Sequence, residues 1–76
     1  MSGFSTVSYL GIKETKKNEI EFFIQREDKL ISCVAKVTDP IRKNFLESLK
    51  VGVPIQIQAN FENAATKTIP VNAFII

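Results

Sequence analysis

The chain has 76 residues, 10 Lys and Arg against 8 Asp and Glu, a formal charge of +2, one cysteine and no histidine. That length is one domain, residues 1–76, and the lone Cys33 excludes an intramolecular disulfide and a structural zinc site of Cys and His ligands. Without histidine neither a Ser-His-Asp nor a Cys-His arrangement can exist, so the composition points away from an enzyme and towards a binding protein.

The first predicted strand runs from Thr6 to Lys13, with Leu10 and Ile12 on one parity, Val7 and Tyr9 on the other, and Gly11 marking a bulge or bend. The polar run 13–18 is a loop. The second strand, Glu19 to Arg26, alternates cleanly: Ile20, Phe22 and Ile24 share one face, Glu21, Phe23 and Gln25 the other. Glu27-Asp28-Lys29 reads as a tight turn into a third strand, Leu30 to Thr38, so these two strands form a hairpin. Ile31, Cys33, Ala35 and Val37 lie on its apolar side, where Cys33 reads as a small buried hydrophobe. The period then changes. Asp39 is an N-cap, Pro40 fits the first helical position, and Ile41, Phe45, Leu46 and Leu49 recur at helical spacing up to Val51-Gly52, where Gly52 suits a left-handed end. The fourth strand, Pro54 to Phe61, turns Ile55, Ile57, Ala59 and Phe61 one way; Phe45 and Phe61 both read as core. After a polar loop, the fifth strand, Thr68 to Ile76, carries Ile69, Val71, Ala73 and Ile75 on one parity, with Phe74 on the other and its environment open.

Three strands, a helix and two strands is the element order of a five-stranded Greek-key barrel. Leu30-Ile31-Ser32-Cys33-Val34-Ala35 leads to a helix ending Leu49-Lys50-Val51-Gly52, and Pro54-Ile55-Gln56-Ile57-Gln58-Ala59 follows at once. This resembles the strand, helix, L-x-x-G, strand pattern of the OB-fold single-stranded-DNA-binding proteins, and in size it is similar to their compact phage and mobile-element members. Ala59 stands where that family often has glycine, and recruitment of partners through the family's long acidic tail is not carried over. The resemblance implies a mostly β OB-fold with its helix between strands three and four. It also implies a ligand face on strands two and three, flanked by the loops between strands one and two and between four and five.

The site candidates follow from parity. If Ile20, Phe22 and Ile24 point inward, Phe23 must stand outside, an apolar ring between Glu21 and Gln25. Tyr9 likewise opposes Leu10 and Ile12. Non-specific single-strand binders pair exposed rings with a positive groove. The candidate contacts are therefore Tyr9 and Phe23 for stacking and Lys13, Lys16, Lys17, Lys36 and Lys67 for phosphates; Arg26 and Lys29 flank the hairpin. The expected ligand is single-stranded DNA, with RNA as the alternative, and no cofactor. A rival reading makes Phe23, Leu30, Val34 and Phe74 the apolar contact of a protein–protein adaptor. A 76-residue core is marginal, so self-association, a dimer in the first place, is the expected compensation. The N-terminus lacks a charged region followed by an apolar run, and no stretch approaches the ~20 apolar residues of a membrane span, so the expected location is cytoplasmic.

Overall fold

The computed structural model describes residues 3–75. Five strands and one helix follow in the order β1 (Ser5–Thr15), β2 (Glu19–Arg26), β3 (Lys29–Lys36), α1 (Pro40–Ser48), β4 (Pro54–Ala59) and β5 (Ile69–Ile75). The strands close into a barrel in the spatial order β1-β2-β3-β5-β4, with β4 returning to β1. The β3–β5 pair is parallel and the others are antiparallel. This is the OB-fold.

The strict alternation of β2 decides which side of the sheet becomes the interior. Ile20, Phe22 and Ile24 are fully buried, while Glu21, Phe23 and Gln25 stand on the outer face. Ile31, Cys33, Ala35 and Val37 meet them from β3 and its end, Ile55 and Ile57 from β4, and Ile69 and Val71 from β5. Each buried Ile or Phe removes apolar area worth about 1.5–3 kcal/mol from water. No buried side-chain N or O among the described residues lacks a partner.

Asp39 caps α1 as its sequence position suggests, its Oδ1 accepting from the Ile41 N–H at 2.9 Å. The helix rests on the barrel through Leu46, its one buried residue. Ile41 and Phe45 are 77% and 52% exposed, which corrects the assignment of Phe45 to the core. A nine-residue helix anchored at one side chain leaves most of its apolar spacing facing outward. Nor does Gly52 terminate it. Leu49 leaves the helix in an extended conformation, and Gly52, at φ +96°, sits in a later turn where its N–H donates to the Tyr9 carbonyl at 2.7 Å. No helix among the described residues is long and apolar enough to cross a membrane.

Two strands change parity midway. In β1, Tyr9 pairs with Ile24 and Gly11 with Phe23, leaving Leu10 as an extra residue; Gly11 adopts φ +114°, a conformation that disfavours any side chain. Val7 and Tyr9 therefore point inward before the bulge, and Ile12 packs on the core after it. In β5, Val71 pairs with Ala59 and Ala73 with Gln58, so Asn72 is the extra residue. Phe74 turns in and is 8% exposed, and Ile75 turns out at 52%, the reverse of a single alternation through the strand. Ile76, placed at the strand's end by the sequence, lies outside the described residues.

Candidate functional site

The outer face of β1, β2 and β3 carries the predicted ligand side, and strand register arranges it in rows. Gly11 lies beside Phe23 and Phe23 beside Ser32. The Ser32 hydroxyl is 3.0 Å from that of Thr68, which continues the row into the loop between β4 and β5. Phe23 is half-buried at the centre. A second bulge in β1 makes Lys13 and Glu14 together oppose Glu21, and Lys13 Nζ lies 5.8 Å from the centre of the Phe23 ring. That is within reach of a cation–π attraction. Gly11, which has no side chain, flanks Phe23 on one side and Ser32, with a small polar one, on the other.

The neighbouring row has opposite character. Glu14 faces Glu21 directly, then come Val34 and Pro70. Two carboxylates placed opposite each other repel a phosphate as well as one another. Beyond them Glu19 faces Lys36. The Phe23–Ser32–Thr68 row is thus the electrostatically open path across the sheet.

Of the sequence-predicted residues, Phe23 and Lys13 come together, and Lys67 is adjacent to Thr68 at the row's other end. Lys16 and Lys17 sit in the loop between β1 and β2 with exposed side chains. Lys36 is exposed but separated from Phe23 by the Glu21–Val34 row. Tyr9 is withdrawn from the site. It is 1% exposed, packs 6.0 Å from Phe22, and donates its hydroxyl to the Leu46 carbonyl at 2.8 Å. The bulge at Leu10 is the reason, since it puts Tyr9 and Ile12 on the same side of the sheet. Phe74 also leaves the proposed adaptor contact: it is buried beneath Arg42, whose guanidinium lies 4.4 Å from the ring centre and donates to the Phe74 carbonyl.

Sequence reasoning placed Arg26 beside the hairpin but missed its contact with Phe61. Its guanidinium lies 4.2 Å from the centre of the Phe61 ring, and Phe61 is half-buried against the core. Arg26 pairs across the hairpin with Lys29, and both line a groove of about 460 Å³ beside Leu30 and Phe61. The signal present in the sequence was two cations flanking a tight turn; what was hidden was that the Phe61 ring packs against Arg26.

Burial pushes the Cys33 thiol up to about 12, so it stays a neutral core group at ordinary pH. Among the described residues no three His, Cys, Asp or Glu side chains gather as a metal site would require. No protein-family model, curated protein or solved structure matches this chain.

Proposed function

We propose that this chain is a non-catalytic binder of single-stranded nucleic acid, DNA in the first place and RNA as the alternative, with little sequence preference. The observation that carries the reading is the Phe23 ring on the outer barrel face with the Lys13 ammonium above it. A base stacks on the ring, and Lys13 moves from the ring to an adjoining phosphate. Lys16 and Lys17 extend the positive surface on one side and Lys67 on the other, with Arg26 and Lys29 at the hairpin tip. Every base has a π-face, so stacking of this kind is tolerant of sequence. The family resemblance in the strand–helix–strand segment supports the same ligand class.

The experiment is a titration of labelled oligo-dT over a salt series. Four phosphate contacts, from Lys13, Lys16, Lys17 and Lys67, give a slope of log K against log salt of about −3. Phe23→Ala weakens binding about tenfold or more. Absence of binding at low salt contradicts the reading.

A second reading is favoured by the 64% exposure of Leu30, paired with Gln25 on the same outer face. In it Phe23, Leu30 and Val34 form the contact of an adaptor subunit. Self-association, the other expected partner relation, would draw on exposed apolar side chains such as Ile41, Phe45 and Ile75. Sedimentation of the free protein, with and without oligo-dT, separates these from nucleic-acid binding.

A further inference from the structure

The loop between β1 and β2 is tied down on one side. Lys43, half-buried on α1, donates from Nζ to the Lys16 carbonyl at 2.8 Å and to the Lys17 carbonyl at 3.3 Å. The next carbonyl, that of Asn18, accepts from the Val37 N–H at 3.0 Å. The Lys16 N–H closes the loop onto the Glu19 carbonyl at 2.8 Å. Three consecutive carbonyls thus turn towards the helix and the β3–α1 connection. Bonds from an ammonium to a carbonyl are stronger than neutral ones.

We propose that Lys43 is a positioning residue for nucleic-acid binding, holding the loop in one conformation so that Lys16 and Lys17 are presented to phosphates without a further ordering cost. The inference rests on the functional reading above and assigns to Lys43 a role different from that of the other lysines. It anchors backbone and touches no phosphate. Loops of charged residues are ordinarily mobile, and ordering them on binding consumes affinity.

Two measurements test it. In the first, without nucleic acid, Lys43→Gln speeds amide exchange at Lys16 and Val37 by about fivefold or more, the loosening expected when the loop opens locally. Unchanged exchange overturns the anchor. In the second, oligo-dT is titrated over a salt series against three variants. Lys43→Gln weakens binding about fivefold, roughly the re-ordering of one loop residue, and leaves the salt slope unchanged. Lys43→Arg, which can still donate to both carbonyls, binds like wild type. Lys43→Gln with Asn44→Lys keeps the net charge and stays weak. A slope reduced by about 0.7 in Lys43→Gln makes Lys43 itself a phosphate contact, and recovery in the double variant makes it only a source of field. Either result overturns the positioning role. Failure of the wild type to bind oligo-dT removes the functional reading and this role with it, whereas the exchange data still report the anchor.

Discussion

Lys13 Nζ lies 5.8 Å from the centre of the Phe23 ring because β1 carries an extra residue opposite Glu21. A bulge of this kind re-aims a side chain at the point where the regular pleat would not deliver it. The pairing separates stacking from plain apolar contact. Phe23→Leu keeps the bulk but loses the π-face, and it weakens oligo-dT binding about tenfold, while Phe23→Trp binds at least as well as wild type. An adaptor surface would tolerate the leucine.

Tyr9 ties β1 to α1 through one buried hydrogen bond, and Leu46, which accepts it, is the helix's only buried side chain. Tyr9→Phe removes the shorter of that carbonyl's two hydrogen bonds and leaves it only the 3.3 Å bond from the Leu49 N–H. The expected loss is about 1–2 kcal/mol, seen as a thermal midpoint lower by about 5–10 °C for a domain of this size. Nucleic-acid affinity at low temperature stays unchanged, since the side chain is withdrawn from the surface.

Stability should fall in alkali. Burial pushes the Cys33 thiol from 9.0 up to about 12, and burial with the nearby Glu47 carboxylate raises the Tyr9 phenol above 10.0. Both groups hold their protons longer in the folded chain than in the unfolded one. Their contribution is complete below pH 9 and declines as pH rises towards 12, because the unfolded state ionises first. Urea unfolding followed from pH 8 to 11 shows the decline. Cys33→Ala flattens its first part, and a thiol reagent leaves native Cys33 unmodified at pH 8.

The hairpin tip stores a small strain. Glu27 sits at φ +57° in the two-residue turn between β2 and β3. Two-residue hairpin turns place glycine or asparagine in such positions, and an L-residue with a longer side chain costs about 1 kcal/mol there. Glu27→Gly is expected to raise the urea midpoint by an amount equivalent to about 0.5 kcal/mol, after the added freedom of glycine in the unfolded chain is subtracted.

How much of this was legible in the sequence depended on where alternation held. β2 has no irregularity in its pairing with β3, and its bounds, its inward set and the outward Phe23 all follow from period two. Element order alone gave the barrel. Reading failed at Leu10 and at Asn72, where one inserted residue reverses every later side chain. Those two bulges moved Tyr9 and Phe74 into the core. Gly11 hinted at the first; nothing in Val71-Asn72-Ala73 marks the second. The Arg26–Phe61 and Lys43–loop contacts join residues 35 and 26–27 positions apart, and such pairings depend on barrel closure rather than on local pattern. Phe45 was misread because helical spacing identifies an apolar stripe without saying how much of it finds a surface to cover.

Amide chemical-shift mapping with a short oligo-dT tests the central claim most directly. The account predicts the largest shifts at Gly11, Phe23, Ser32 and Thr68, lying in one row across the sheet, and at Lys13 in the bulge beside it, with Ile41, Phe45 and Gln56 undisturbed. Shifts centred on α1 or on β4, or a spectrum unchanged at low salt, would contradict it.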